Sequence, residues 1–262
     1  MAMAALAANP ASTGKGFRIY GNTYYVGTPK HSSILVDSDY GYVLIDTGPK
    51  DTAAQVAANI QALGFKLTDL KAIVLSDTRP EHAGALSQLV QMSGAQVYTT
   101  RPGDQKLRND KSFTLKRPQD DQREGARMGS IPMLPHVWVA QDDQIVSISS
   151  VRLRALATPG GSAEGISWSW ESCDGSKCLA TIYPASLEPE GKPKDRAATQ
   201  AAMEASLARL ESAPCQLLLT PDPAEAGGLE RLVKADGKQD VLKNDDACKA
   251  YVQQMREKLT KR

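Results

Sequence analysis

Lys71-Ala72-Ile73-Val74-Leu75-Ser76-Asp77-Thr78-Arg79-Pro80-Glu81-His82-Ala83-Gly84 is the stretch on which the reading of this chain turns. Lys71–Leu75 is a short apolar run with the length of a buried strand. Beyond it, Asp77, Arg79, Glu81 and His82 crowd ionisable side chains at the strand's end. Leu86, Leu89 and Val90 then recur on one helical face, and Gly94 can end that helix, so a helix is predicted over Glu81–Ser93.

Upstream, Phe17–Val26, Ser32–Asp37 and Tyr42–Ile45 read as strands, and Asp46-Thr47-Gly48 is a polar turn. Asp51–Leu63 predicts a helix. Val56, Ile60 and Leu63 share its apolar face, Asp51 can cap its start and Gly64 can end it. Gln96–Thr99 is again strand-like. The polar region Arg101–Leu134 carries Pro102, Pro118 and Pro132, with Pro135 just beyond, and reads as a helical turn followed by a long irregular excursion.

Downstream come strands at Val137–Val139, Gln144–Ile148, Val151–Ala157, Ile166–Trp170 and Leu179–Ile182. A helix at Asp195–Glu211 turns Thr199, Met203, Leu207 and Leu210 inward. A strand at Gln216–Thr220 and two C-terminal helices follow, the last at Asp245–Leu259. Two β-rich halves with helices outside give one α/β or α+β domain.

The chain has 262 residues, 41% of them hydrophobic, enough for one packed core. Its 31 basic and 30 acidic residues leave a formal charge of +1, which offers no attraction to nucleic acid or to an anionic membrane surface. No apolar run is long enough for a membrane span. Residues 1–16 are rich in Ala, Ser and Gly, with almost no charge. They are expected to be a disordered leader, either a cloning remnant or what a removed signal leaves behind, ahead of a domain over residues 17–262.

The four cysteines are Cys173, Cys178, Cys215 and Cys248. Cys173 and Cys178 flank the turn Asp174-Gly175-Ser176-Lys177, where a bridge would staple a hairpin. An even count suits two disulfides and an exported protein; the alternative is reduced thiols in the cytosol. Neither pair has zinc-knuckle spacing.

Taken in order, several segments resemble the metallo-β-lactamase superfamily: Leu44-Ile45-Asp46-Thr47-Gly48, Leu63-Gly64-Phe65, Ile73-Val74-Leu75-Ser76 and Glu81-His82-Ala83-Gly84. Thr158-Pro159-Gly160 with Ser167-Trp168-Ser169-Trp170, then Tyr183-Pro184-Ala185-Ser186-Leu187 and Leu219-Thr220-Pro221-Asp222-Pro223, continue the likeness. It runs from about Phe17 to Leu259 and is strongest to the third subclass of metallo-β-lactamases. The resemblance implies a single-domain, four-layer αβ/βα sandwich, with the site along the top edge of two sheets and a periplasmic or secreted location. It also implies a Cys215–Cys248 disulfide, as in some third-subclass members, beside Cys173–Cys178. Asp46 matches the aspartate that steadies the ligand loop, here expected to bond backbone amides.

The family holds two zinc ions with H-x-H-x-D-H, a histidine after T-P-G and a late histidine. The corresponding positions here are Asp77, Arg79, Glu81 and His82, then Gly161, then Asp222. The first zinc position would be lined by Asp77, Arg79 and Gly161. Arginine has no lone pair to give and glycine has no side chain, so this position is read as lost. At the second, Glu81, His82 and Asp222 are possible ligands for one zinc or other divalent ion. Arg79 is expected to pair with Asp77, Glu81 or Asp222 as an internal counter-ion in place of metal.

Ser186 and Glu188 fall where the subclass contacts substrate, and a glutamate there would repel a carboxylate. Ser162, in Gly160-Gly161-Ser162, reads as a turn residue. A serine hydrolase is disfavoured because neither His31, His82 nor His136 can be placed beside Ser162. The expectation is a member of the fold with a degraded zinc site and no cofactor, acting as a non-catalytic or binding protein for a small molecule or protein. The alternative is a β-lactamase-like hydrolase with one metal at Glu81, His82 and Asp222.

Overall fold

A computed structural model describes residues 14–110, 137–189 and 195–260. The larger sheet has seven strands in sequence order: β1 (Phe17–Tyr20), β2 (Thr23–Tyr25), β3 (Ile34–Ser38), β4 (Gly41–Ile45), β5 (Leu70–Val74), β6 (Gln96–Thr99) and β7 (Val137–Val139). Strands β1 to β4 are antiparallel neighbours, and β4 to β7 run parallel. The second sheet contains β8 (Ile145–Ile148), β9 (Val151–Ala157), β10 (Ile166–Asp174), β11 (Lys177–Tyr183) and β12 (Leu217–Leu218), in the order β12-β11-β10-β9-β8.

Burial separates three apolar layers. Ile34, Val36, Val43, Ile45, Ala72 and Val74 of the larger sheet meet Leu153, Ala155, Trp168, Leu179 and Tyr183 of the smaller one. The outer face of the larger sheet, with Leu35, Leu44, Ile73 and Val97, is covered by α1 (Ala53–Ala62) and α3 (Leu86–Ser93). The outer face of the smaller sheet, with Ile182 and Leu218, is covered by α5 (Arg196–Ser212) and α8 (Ala247–Thr260). Helix on sheet on sheet on helix is the four-layer sandwich expected. Alternate residues of each strand face opposite layers, so one run such as Val43-Leu44-Ile45 feeds two cores.

Two expected elements are broken. The predicted strand Phe17–Val26 is a hairpin of β1 and β2 that turns at Gly21. Gly21 has φ +52°, and a Cβ there would stand 2.3 Å from the Cys173 carbonyl oxygen. The predicted helix Glu81–Ser93 is split into α2 (Pro80–Ala83) and α3, with Gly84 and Ala85 between them. A Cβ on Gly84 would lie 2.6 Å from the Lys50 nitrogen, so the chain passes too close to the 49–50 backbone for any other residue.

Asp51 lies in a 3-10 turn over Lys50–Thr52 and does not cap α1, whose N-cap is Thr52. Asp195 does cap α5, accepting from the Ala198 amide. The expected helical turn after β6 is α4 (Arg101–Asn109), capped by Thr100; the rest of the irregular excursion, with Pro118, Pro132, Pro135 and His136, lies outside the described residues. The C-terminal part has α6 (Gly228–Ala235) and α7 (Gln239–Leu242) as well as α8, one helix more than expected.

Both disulfides form, Cys173–Cys178 across the β10–β11 hairpin and Cys215–Cys248 from the start of β12 to α8. Of the expected leader, residues 14–16 are described, and the Gly14 carbonyl accepts a 2.8 Å hydrogen bond from buried Asn59. Among the described residues no helix is long and apolar enough to cross a membrane.

Candidate functional site

The C-terminal ends of β4 and β5 meet the β9–β10 loop and the segments after β11 and β12. The two sheets are tied at this edge: Trp168 Nε1 donates to the Leu75 carbonyl at 3.0 Å and the Ile166 amide to the Ser76 carbonyl at 2.9 Å. Asp46 stands at the end of β4 with φ +56°, a left-handed conformation that aspartate tolerates better than most residues. Its carboxylate accepts from the Ser76 amide (2.7 Å), the Ser76 hydroxyl (2.6 Å) and the Tyr183 hydroxyl (3.0 Å). The structural role expected of Asp46 is therefore met with one amide and two hydroxyls. Burial pushes its pKa up to about 6, against the pull of His82.

The break between α2 and α3 places His82. Its carbonyl leaves the helical pattern and accepts from the Thr47 amide (2.7 Å), the Gly48 amide (3.1 Å) and the Thr47 hydroxyl (3.0 Å). The imidazole is thereby held against Asp77, with Nδ1 2.7 Å from Asp77 Oδ1. Burial alone would raise the Asp77 carboxyl and lower His82. Their mutual hydrogen bond and charge, with the Asp46 charge acting on His82 and Arg79 acting on Asp77, reverse both, holding Asp77 below the ordinary carboxylate range and His82 above the ordinary imidazole range.

Arg79 completes the cluster. Its amide donates to Asp77 Oδ1 at 2.9 Å, and its Nε lies 3.3 Å from Asp77 Oδ2, an ion pair without aligned hydrogen-bond geometry. On its other side, Nη1 donates to Ser186 Oγ (3.0 Å), and Nη2 to the Glu188 carbonyl (2.7 Å) and more weakly to the Ser186 carbonyl (3.4 Å). Both partners of the pair are withdrawn from water, with side chains 12% and 0% exposed. Gly161 faces this cluster: a Cβ on it would stand 2.8 Å from Arg79 Nη2, 2.1 Å from the Ser186 carbonyl oxygen and 2.9 Å from that of Glu188.

Asp77, Arg79 and Gly161 lie together at this edge. Arg79 pairs with Asp77; no ion pair with Glu81 or Asp222 is found among the described residues. Glu81 is exposed. Asp222 is exposed too, and its carboxylate accepts from the Ala224 amide, capping the 3-10 turn Pro223–Ala226. Among the described residues no group of three or more His, Cys, Asp or Glu side chains stands where it could hold a metal ion. The Ser186 hydroxyl and the Ser186 and Glu188 carbonyls accept from Arg79, while the Glu188 carboxylate lies 4.0 Å from Lys258. Ser162 is buried in the loop, and the Gly160 amide donates to its carbonyl. His31 sits in the loop before β3, its carbonyl accepting from the Thr28 amide.

Sequence reasoning missed Glu164. Its buried carboxylate accepts from Thr78 Oγ1 and Lys106 Nζ, each at 2.8 Å, and its carbonyl accepts from Thr100. It fixes the β9–β10 loop to α4 and to the ionic cluster's own loop. Burial would raise this carboxyl, but the hydrogen bonds from Lys106 and Thr78 hold it below its ordinary value. A lone glutamate before a strand carries no periodic signal. Only the fold brings Lys106 to it, from 58 residues away.

Comparison with known proteins places these observations. The family model of the metallo-beta-lactamase superfamily matches residues 26–174. The chain is 33% identical to the Rm3 metallo-beta-lactamase, covering 98% of this chain and 97% of that one, with a TM-score of 0.79. It is 28% identical to MEM-A1, a subclass B3 metallo-beta-lactamase isolated from a soil metagenome library, over 94% of each chain, with a TM-score of 0.80. A third similar structure is described as the first B3 metallo-beta-lactamase with an active-site glutamic acid. It is 28% identical over 94% of this chain and 89% of that one, with a TM-score of 0.76.

Proposed function

Because the chain belongs to the metallo-β-lactamase superfamily, we propose that it is a member that has lost two-zinc hydrolysis and works as a non-catalytic binding protein. The observation that carries this reading is the contact between Arg79 and Gly161. The family's zinc pair does not fit this donor set. Arg79 offers only hydrogen-bond donors, Gly161 offers no side chain, and Asp77 is held by Arg79 and His82. A histidine at position 161 would begin with a Cβ already too close to the Ser186 carbonyl and to the guanidinium.

On this reading its ligand would be a small molecule or a protein. A formal charge of +1 gives no basis for nucleic-acid binding. Two disulfides fit an oxidising compartment, which supports a periplasmic or secreted protein. The chain divides into a leader over residues 1–16 and a domain over 17–262 in this reading.

A second reading keeps a hydrolase with one metal at Glu81, His82 and Asp222. It is favoured by the solved B3 relative described as having an active-site glutamic acid. It requires exposed Glu81 and Asp222 to turn inward and His82 to exchange Asp77 for the ion. Turnover of a carbapenem by purified protein with added zinc, with and without chelator, tests the choice. No turnover above the buffer rate is expected. Chelator-sensitive turnover overturns the non-catalytic reading, and its loss in both Glu81→Gln and His82→Ala would establish the second.

A further inference from the structure

We propose that Arg79 is a latch that ties the Ser186–Glu188 segment to the Asp77 loop, with Gly161 as the gap into which that segment fits. This deepens the non-catalytic reading and rests on it, since a zinc pair would need the space that the guanidinium takes. One end of the latch is fixed at the Asp77 carboxylate by the 3.3 Å ion pair and the 2.9 Å amide bond. Asp77 is itself held by His82, and His82 by the three bonds from Thr47 and Gly48 to its carbonyl. The anchor is therefore part of the larger sheet's edge.

The other end reaches a segment that leaves the smaller sheet. Ser186 supplies a hydroxyl and a carbonyl, and Glu188 a carbonyl, to the two terminal nitrogens. Carbonyl acceptors matter here, because they fix the backbone of the segment and not only a side chain. The fork of the guanidinium suits this double reach, which a lysine ammonium could not reproduce. Gly161 is the third part. The same two carbonyl oxygens lie 2.1 and 2.9 Å from where its Cβ would be, so the segment sits closer to the β9–β10 loop than any side chain permits. Arg79 and Gly161 are thus coupled: the arginine draws the segment in and the glycine makes room.

Hydrogen exchange of the full chain, read segment by segment, tests this. Charged hydrogen bonds of this kind contribute enough that Arg79→Gln should speed exchange over residues 185–189 by about tenfold or more, with β5 unchanged. Gly161→Ala should do the same, and the double variant should add little to either single one. Should Arg79→Gln fail to fold, Ser186→Ala, which removes only the Nη1 acceptor, should give a smaller increase in the same segment. Unchanged exchange in these variants, or full additivity in the double variant, overturns the latch. All samples are compared in chelator and in zinc. Slower exchange on adding zinc to the unsubstituted protein would overturn the metal-free reading itself, whereas flat exchange in every variant sinks the latch alone.

Discussion

Arg79 Nη2 stands 2.8 Å from the position that a Cβ on Gly161 would take, so the arginine and the absent side chain occupy one space. A guanidinium offers hydrogen-bond donors and no electron pair. Asp77 is its counter-ion, and the same carboxylate is the partner of His82. On the reading proposed above, the family's metal ligands would converge in this space.

Asp77→Ala should be among the most destabilising single substitutions in the chain. It leaves the Arg79 and His82 groups buried without their anion. Removing one member of a buried ionic cluster typically costs about 3–5 kcal/mol. Urea unfolding measures this. A loss below about 1 kcal/mol, the scale of an exposed pair, would show that the cluster is hydrated and weak.

Gly161→Ala should destabilise by about 1–3 kcal/mol, the usual cost of forcing atoms into a filled site. The predicted Cβ contacts include backbone oxygens, which yield less readily than a side-chain end. Thermal unfolding at fixed pH checks it, and an unchanged Tm would contradict the tight approach.

Acid should weaken the β9–β10 loop through Glu164. Its folded pKa is held below the ordinary value of 4.5, so the folded state favours the ionised form. The associated stability is fully present above the unfolded value and is lost as pH falls through the folded one. Stability measured between about pH 6 and pH 3 should therefore fall less steeply in Glu164→Gln than in the unsubstituted chain. Equal slopes would remove Glu164 from the account.

The two disulfides should differ in worth. In the chain-entropy view, the larger loop closed by Cys215–Cys248, with a separation of 33, stabilises by about 4 kcal/mol. Cys173–Cys178, with a separation of 5, gives about 2 kcal/mol. Paired alanine substitutions, compared by urea unfolding, test the ranking. A larger loss from the hairpin bridge would reverse it.

The strands were legible because alternation and short apolar runs survive in the sequence, as at Val151–Ala157, which matches β9 residue for residue; the four layers were legible only through the family resemblance. The break at Gly84 was not legible. A helical pattern continues through it, and the close approach of the Pro80 carbonyl and of the Pro49–Lys50 backbone explains the glycine. In the site, Arg79 and Gly161 were singled out by the family resemblance, which aligned them with ligand positions. The direction in which Arg79 points could not, because two of its acceptors are backbone carbonyls, which every residue carries. Glu81 and Asp222 looked equivalent to His82 in sequence. Exposure separates them, since only His82 is drawn inward, by bonds to its own carbonyl.

Metal content tests the central claim most directly. The protein would be purified without chelator, dialysed against dilute zinc and then against metal-free buffer, and measured by elemental analysis. The account predicts no retained zinc, and the same value for His82→Ala. One equivalent lost in His82→Ala would establish the single-metal reading, and two equivalents would contradict the account outright.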